Sequence, residues 1–423
     1  MENAFGRRQL LGGAPGLMAT AVRHAVARAR HAPHRQILAC SLQSANILEA
    51  PVNQLTTFLM TLPLEAPVEA LRVGMANVSS KPYTLQGICC CEGNQWDPAA
   101  GSEWAYFSFT GAGAGTGEEP RAPARTRQSC VVPGNQTTDA GATNVPRIYW
   151  SDWMRYQTRA AFRPPQILLR VLVPPQRLSL TETNVRGDWA GLVSGLRSWT
   201  TGWWQLPGDF VTEPVSPTSP PRDSDLAPIY IVQYRAAVPG IQIVFGGDSH
   251  LARWHTFVRL AAINLSTPEL PISTWNAAMG GVPSRSFLPA LEDAIDAARP
   301  SMCLIKGWTP NDVMGRKHDL AYEGRVRQTA ARVMQQGGLT VILKSMPVHL
   351  ADKPGLLAEW QLSNHELDYL VPGALVFDPN PYVEDLQKLG NWRPGTSDDG
   401  LHPNVAGETL LRDPFENMLR PWL

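Results

Sequence analysis

The chain has 423 residues, with 37 acidic and 37 basic side chains and a formal net charge of zero. At roughly 100–200 residues per domain, this length predicts two or three domains. A net charge of zero gives no general attraction to nucleic acid, so we expect no nucleic-acid partner. No run of 18 apolar residues occurs, and we therefore expect no transmembrane segment.

The first segment, residues 1–35, is rich in Arg, Ala and His and is predicted to be a leader or flexible arm. Arg7 and Arg8 precede an uncharged stretch, and a short Ala-Val-Ala follows at residues 25–27. This arrangement resembles a twin-arginine export signal with a small-residue cleavage site. Two further arginines interrupt the pattern, so a plain N-terminal arm stays open as the alternative.

Residues 36–183 are predicted to form a β-rich, sandwich-like accessory domain. Short runs of β-branched, aromatic and apolar residues alternate with turn signals, and no helical periodicity is visible. The expected strands are 56–64, 70–78, 83–90, 103–109 and 166–173.

The chain has six cysteines: Cys40, Cys89, Cys90, Cys91, Cys130 and Cys303. They form no C-x-x-C pair, so no zinc pattern is present. We interpret the three consecutive cysteines as the edge of a strand. A disulfide from this cluster to Cys130 is the alternative if the protein is exported, and a redox or metal role is a further one.

Residues 184–235 are predicted to be a tryptophan-containing loop followed by a linker. The loop holds Trp189, Trp199, Trp203 and Trp204, and a Pro/Ser stretch follows at residues 214–221. Stretches of this composition are typical of exposed connections. The tryptophans could stack on sugar rings, or they could pack in a core or cover the site.

From about residue 236 the pattern changes to alternating strands and helices. Strands are expected at 241–245, 272–275, 302–306, 339–344 and 374–377, and helices at 251–264, 287–298, 320–336 and 356–370. Such alternation predicts a parallel sheet covered on both faces. These sheets bind ligands at the carboxyl ends of their strands, so chemically active residues should directly follow the strands.

Ser249 is the candidate nucleophile because it follows the first of these strands in the segment Phe-Gly-Gly-Asp-Ser-His. A serine hydroxyl reacts only when it is exposed, oriented and beside a base. A strand-to-helix turn supplies the exposure, and the glycines allow a sharp bend. The alternative is that Asp248 or Ser249 merely caps the following helix.

A candidate base lies near the end of the chain, in Ser-Asp-Asp-Gly-Leu-His from residue 397. An Asp and a His three residues apart can share one loop, where the carboxylate holds the imidazole tautomer for a serine. Asp399 is preferred over Asp398 because it alone is three residues from His402. An ordinary polar loop is the alternative.

Two further strand ends offer hydrogen-bond donors for a developing oxyanion. Gly281 follows the segment that begins at Asn276, and Asn311 follows the strand at 302–306. Removing one such donor typically costs about two to three powers of ten in rate. Gly and Asn are also ordinary loop residues, so each signal is weak by itself.

The order Ser, Gly, Asn, Asp-x-x-His resembles the SGNH hydrolase family, also called GDSL esterases and lipases, over about residues 238–415. The resemblance implies a three-layer α/β/α sandwich with a flavodoxin-like sheet. It implies Ser249 as nucleophile, His402 as general base and Asp399 as the residue that orients His402. The implied oxyanion hole is formed by Ser249, Gly281 and Asn311.

Two positions depart from the family pattern. His250 stands where a leucine is usual, and we expect it to pack or cap nearby rather than act as the base. Gly307 and Asn311 are separated by three residues instead of one, which leaves the placement of Asn311 open.

The expected function is that of a serine esterase, a carboxylic ester hydrolase that needs no metal or organic cofactor. The expected substrate is a short-chain acyl ester, with an O-acetyl group on a carbohydrate as the preferred case. Longer acyl esters and acyl transfer to an acceptor other than water are alternatives. A different class is a catalytically inactive SGNH-fold carbohydrate-binding or adhesin-like protein. The sequence indicates neither oligomeric state nor compartment.

Overall fold

A computed structural model describes residues 32–41, 47–94, 97–110, 119–135, 147–158, 165–182, 202–212, 222–223, 226–253, 256–314 and 320–423. Almost all of the expected leader lies outside the described residues, as do the Pro/Ser stretch at 214–221, Trp189 and Trp199. No helix among the described residues is both long and apolar enough to cross a membrane.

The N-terminal region is built from strands. They are β1 (Arg35–Ser41), β2 (Ile47–Val52), β3 (Thr56–Pro63), β4 (Val68–Asn77), β5 (Tyr83–Leu85), β6 (Gly87–Asn94), β7 (Asp97–Pro98), β8 (Ala105–Tyr106), β9 (Cys130–Val132), β10 (Arg147–Trp150), β11 (Met154–Arg155), β12 (Gln166–Val173), β13 (Gln176–Glu182), β14 (Gly202–Pro207), β15 (Arg222–Asp223) and β16 (Leu226–Ala227). One antiparallel sheet has the order β15-β14-β3-β12-β6-β7. Its apolar side chains, such as Phe58 and Leu169, share a buried core with Val73 of β4, which belongs to a second sheet.

The six cysteines are free and buried. Cys89, Cys90 and Cys91 of β6 pair with β12, and β8 pairs with Cys89 and Cys90 on the other side of β6. The expectation of a strand edge was wrong for Cys89 and Cys90, because both have a strand partner on each side. Burial raises the pKa of the Cys91 thiol to about 12.

The segment expected to be a tryptophan-containing loop includes a strand. Residues of β14 pair antiparallel with β3, and Trp204 packs against buried Leu59 and Leu206. The loop expectation was wrong here because aromatic residues favour strands, where they pack on a half-buried face.

The C-terminal region alternates strands and helices. Its elements are β17 (Ile231–Gly246), α1 (Phe257–Leu265), β18 (Ile272–Asn276), α2 (Ser284–Ala298), β19 (Met302–Lys306), α3 (Pro310–Met314), α4 (Leu320–Gln335), β20 (Leu339–Leu343), α5 (Pro354–Leu370), β21 (Leu375–Phe377), α6 (Asn380–Val383), α7 (Val405–Leu419) and a final 3-10 turn (Arg420–Trp422). The strands form a parallel sheet in the order β18-β17-β19-β20-β21. This is the flavodoxin-like order, in which the first strand lies between the second and the third.

Helices cover both faces of this parallel sheet. Val244 and Ile305 point to a core that includes Phe287 and Leu291 of α2. Phe245 and its neighbours on the opposite face pack with Phe257 of α1 and with α7. Strands buried on both faces are mostly apolar, as residues 302–305 of β19 are.

The long strand β17 joins the two regions. Ile231–Ala236 pair antiparallel with β4, whereas Ile241–Phe245 pair parallel with β18. The expected boundary at residues 235/236 therefore lies inside one continuous strand, and the division into domains stays a prediction.

The helix expected at residues 251–264 begins later, at Phe257. Leu251 and Ala252 instead donate to the carbonyl oxygen of Asp248, which closes a tight turn. The side chain of Thr256 then accepts from the Arg259 N–H at 3.4 Å and caps the helix. The turn leaves Ser249 outside any helix.

Candidate active site

The turn that carries Ser249 directly follows β17, at the point between β17 and β19 where the strand order reverses. Gly247 is required there because a Cβ would lie 2.9 Å from side-chain atoms of both Leu251 and Lys306. The chain therefore approaches β19 closely and then bends, which leaves Ser249 half-buried.

Ser249, His402 and Asp399 form one hydrogen-bonded line. The Nε2 atom of His402 lies 2.8 Å from Oγ of Ser249, and Nδ1 lies 2.6 Å from Oδ2 of Asp399. An ionised carboxylate only accepts hydrogen bonds, so Nδ1 carries the proton. The lone pair of Nε2 then faces the serine hydroxyl and can take its proton.

The carboxylate of Asp399 is held in its charged form. Burial works to raise its pKa, but the hydrogen bonds from the His402 ring and from the backbone N–H groups of His402 and Leu401 outweigh it. The pKa therefore lies well below its usual value. Asp398 has a different partner, because its Oδ1 accepts from Asn404 Nδ2 at 2.7 Å. Of the two neighbouring aspartates, Asp399 is the one that contacts His402.

The loop that carries Asp399 and His402 is attached at its C-terminal side. Asn404 caps α7 by accepting from the Gly407 N–H at 3.1 Å. Arg253, in the turn after Ser249, donates to the carbonyl oxygen of Pro403 at 3.0 Å. The turn that carries Ser249 and the loop that carries His402 are thus connected by this bond as well as by the contact between the two side chains.

Gly281 lies on the loop after β18. Its φ angle of 71° is in the left-handed region that favours glycine, and it is exposed. Two residues earlier, the N–H of Met279 donates to the Gly247 carbonyl at 2.9 Å, which holds this loop beside the serine turn. Asn276 is buried and donates to the carbonyl oxygens of Leu251 and Arg253, so it stabilises the turn that carries Ser249.

Asn311 lies at the start of α3, next to the Gly281 loop. Its Nδ2 donates to the Val282 carbonyl at 3.1 Å. Thr309 and Asp312 cap α3 reciprocally, since each side chain accepts from the other's backbone N–H at about 3 Å. Asp312 also accepts from Ser284 at the start of α2. The structure therefore connects Asn311 to the Gly281 loop, although the two lie on different strand ends.

A buried polar cluster beside Ser249 and His402 was not foreseen as functional. Nζ of Lys306 lies 2.6 Å from Oδ1 of Asp248 and 2.9 Å from Nδ1 of His250, and all three side chains are buried. A lysine that ends the otherwise apolar strand β19 is the sequence signal that could have revealed it. The expectation that His250 packs nearby rather than acting on Ser249 agrees with this position.

Among the residues that the structure describes, no group of three His, Cys, Asp or Glu side chains is arranged to hold a metal ion. The chemistry that the arrangement offers is proton transfer between Ser249 and His402.

No protein-family model matches this chain, and neither does any curated protein. Several solved structures resemble part of this chain. A GDSL-like lipase from Bacteroides thetaiotaomicron is 17% identical, with 43% of this chain and 89% of that chain covered and a TM-score of 0.35. A variant of the acetyl xylan esterase Axe2 from Geobacillus stearothermophilus is 18% identical, with 44% and 96% covered and a TM-score of 0.36. An alpha/beta hydrolase from the metagenome of Lake Arreo, Spain, is 18% identical, with 44% and 97% covered and a TM-score of 0.37.

These similar structures are lipolytic hydrolases and esterases, and they correspond to less than half of this chain. At such identities and TM-scores, the similarity assigns no residue role and no substrate to it.

Proposed function

We propose that this protein is a serine esterase that hydrolyses short-chain acyl esters through Ser249, His402 and Asp399. The observation that supports this most directly is the double contact of His402. One ring nitrogen lies 2.8 Å from the Ser249 hydroxyl, and the other lies 2.6 Å from the Asp399 carboxylate. A capping serine would need neither contact. We also propose that the parallel sheet and its helices form the three-layer α/β/α arrangement of SGNH hydrolases.

The proposed reaction has two acyl-transfer steps. Oγ of Ser249 attacks the ester carbonyl carbon while Nε2 of His402 takes the hydroxyl proton. His402 returns that proton to the leaving alcohol, and the acyl group stays on Ser249. Water then attacks the acyl carbonyl carbon while His402 accepts its proton. His402 returns that proton to Oγ of Ser249 as the bond from Oγ to the acyl carbon breaks and the acid is released. Asp399 stays ionised throughout and holds the imidazolium that forms.

The proposed oxyanion hole consists of the backbone N–H groups of Ser249 and Gly281 and the side-chain amide of Asn311. The bond from Asn311 to Val282 supports this grouping, because it holds the amide against the loop that carries Gly281. Donors fixed in advance stabilise the developing charge without reorganising during the reaction.

The preferred substrate is an O-acetyl ester on a carbohydrate. The Asp399 side chain is 51% exposed and that of His402 is 25% exposed, and Gly281 is exposed as well. A triad at the surface can accept an alcohol of any size on its leaving-group side, as an acylated saccharide requires. The exposure of these residues thus gives a large alcohol group access to Ser249. The acyl chain length is tested by the assay below.

The test is hydrolysis of p-nitrophenyl acetate, butyrate and palmitate by the purified chain and by Ser249→Ala. We expect activity that is highest on acetate and falls by about 10⁶ in kcat in the variant. Ser266→Ala, on the loop after α1, is the control and should keep the wild-type rate. Activity retained by Ser249→Ala would overturn the nucleophile. A chain that hydrolyses none of these esters nor acetylated xylan, but binds the polysaccharide, would support the inactive carbohydrate-binding or adhesin-like alternative.

A further inference from the structure

The residue after the candidate nucleophile is a histidine whose environment differs from that of a core residue. The side chain of His250 is 1% exposed, and its Nδ1 lies 2.9 Å from the Nζ atom of Lys306. Lys306 in turn lies 2.6 Å from Asp248, which precedes Ser249. The N–H of His250 also donates to Asp248 at 3.1 Å. Asp248, Lys306 and His250, here called the buried polar cluster, therefore join the serine turn to the end of β19.

The charge state of this cluster follows from its contacts. Burial lowers the pKa of His250 to about 3, and the neighbouring Lys306 adds to that effect. Burial would raise the pKa of Asp248, but the ammonium of Lys306 outweighs it and the pKa lies below its usual value. His250 is therefore neutral, and the two charges of the cluster, on Lys306 and Asp248, balance each other.

The tautomer of His250 follows from the same contacts. An ammonium has only donors, so Nδ1 must accept from Lys306 and the ring proton is on Nε2. A hydrogen bond with the backbone of Leu401 works to raise the pKa of His250. Only an acceptor has that effect on an imidazole, so we assign the bond to the Leu401 carbonyl and, with Nδ1 facing Lys306, the donor to Nε2–H. Leu401 directly precedes His402.

The residues beside His402 are exposed on the side that precedes it. Leu401 is 40% exposed and the Asp399 side chain is half-exposed, so these two residues add little apolar burial to the loop. The His250 ring also packs edge-on against His402, with ring centroids 5.7 Å apart, and against buried Trp392 at 6.0 Å. His250 thus contacts the ring and the preceding carbonyl of the proposed base.

We propose that His250 is a positioning residue, which holds the Leu401 carbonyl and thereby keeps His402 in line with Ser249, with Lys306 and Asp248 fixing its orientation. The expected change in kcat rests on the proposed esterase function, whereas the expected change in the order of the loop around His402 does not. It also explains why a histidine follows the serine, since a leucine could pack there but could not donate a hydrogen bond.

The experiment compares three variants of the full chain. His250→Gln keeps an N–H donor near the position of Nε2, the amide of His250→Asn is too short to reach that position, and His250→Phe keeps a ring without a hydrogen-bonding group. We expect His250→Phe and His250→Asn to lower kcat on p-nitrophenyl acetate by about ten- to a hundredfold, with KM nearly unchanged, because a misplaced base slows the chemical step. His250→Gln is expected to retain most of the wild-type kcat.

A second readout is independent of activity. Hydrogen–deuterium exchange, followed by mass spectrometry, measures the amides of Leu401 and His402, both of which donate to Asp399. In His250→Phe and His250→Asn, peptides that cover 397–404 should exchange faster than in the wild type, whereas peptides of β19 and β20 should not change. His250→Gln should exchange like the wild type.

The outcomes separate this inference from the proposed function. Wild-type kcat and exchange in all three variants would overturn the positioning role. Equal losses of kcat in His250→Gln, His250→Asn and His250→Phe, with faster exchange over the whole sheet, would also overturn it, because they indicate a purely structural residue. A wild type without esterase activity would refute the proposed function, while local exchange at 397–404 would still decide the role of His250. If His250→Phe fails to fold, the contrast between His250→Gln and His250→Asn decides the role of His250.

Discussion

Two histidines lie beside Ser249 with ring centroids 5.7 Å apart, and their surroundings are opposite. His402 lies on a partly exposed loop, with a carboxylate on one ring nitrogen and the serine hydroxyl on the other. His250 is buried, and its only unprotonated nitrogen faces an ammonium. A base needs a lone pair directed at the nucleophile and a carboxylate that stabilises the proton it takes. The partners of each ring, and not its proximity to the serine, therefore distinguish the proposed base His402 from the proposed positioning residue His250.

The carboxyl groups of this part of the chain show the same division. Asp399 is half-exposed, and hydrogen bonds hold its pKa well below the usual value. Glu408, in the first turn of α7, is fully buried, and burial raises its pKa to about 8. The exposed carboxyl group of Asp399 is thus charged. The buried carboxyl groups are either neutral, as in Glu408, or paired with a cation, as in Asp248.

The largest effect that would test this comparison comes from the two neighbouring aspartates. Asp399→Asn should lower kcat by about 10⁴, because the amide no longer holds the tautomer of His402. Asp398→Asn is the matched control and should keep the wild-type rate, since Asp398 contacts Asn404 instead. The measurement is kcat on p-nitrophenyl acetate at saturating ester. Equal losses in both variants would mean that the loop, and not one carboxylate, is what matters.

A smaller loss is expected at the proposed oxyanion hole. Asn311→Ala should lower kcat by about 10²–10³ with little change in KM, because the missing donor acts on the transition state. Asn264→Ala, at an exposed position on α1 where the amide contacts Glu416, is the control. If Asn311→Ala changes KM alone, the side chain binds substrate and does not stabilise the oxyanion.

The prediction for Glu408 concerns stability rather than rate. Its folded-state pKa of about 8 lies above the ordinary 4.5, so folding takes up a proton between these values. The free energy of unfolding should therefore fall as pH rises from about 5 to about 8, by at most about 1.4 kcal/mol per pH unit. Glu408→Gln cannot ionise and should remove most of this dependence. Urea denaturation at several pH values is the measurement, and parallel pH curves for the two proteins would contradict it.

The parallel sheet was predictable because its physical signals are local. Strands such as Met302–Lys306 are short apolar runs bounded by Pro and Gly, and the chemically active residues follow them. The continuity of β17 was not predictable in the same way, because Pro239 and Gly240 read as a break within the strand. Its two halves are held by different partners, β4 on one side and β18 on the other, and a local pattern does not identify partners.

The site was predictable as far as spacing within a loop determines geometry. Asp399 and His402 share one loop, so their contact follows from three residues of separation. The pair of Lys306 with Asp248 spans 58 residues and two strands, and only the register of the sheet brings the side chains together. For the same reason the bond from Asn311 to the Gly281 loop, between two different strand ends, was not apparent from the sequence.

The most direct test of the central claim is covalent labelling of the full chain by a fluorophosphonate, with the modified residue identified by mass spectrometry. This probe reacts with a serine that a base has activated and requires no knowledge of the natural ester. We expect a single label on Ser249 in the wild type and greatly slowed labelling in His402→Ala. Absence of label, or a label on another serine, would contradict the assignment of Ser249 and His402 as nucleophile and base.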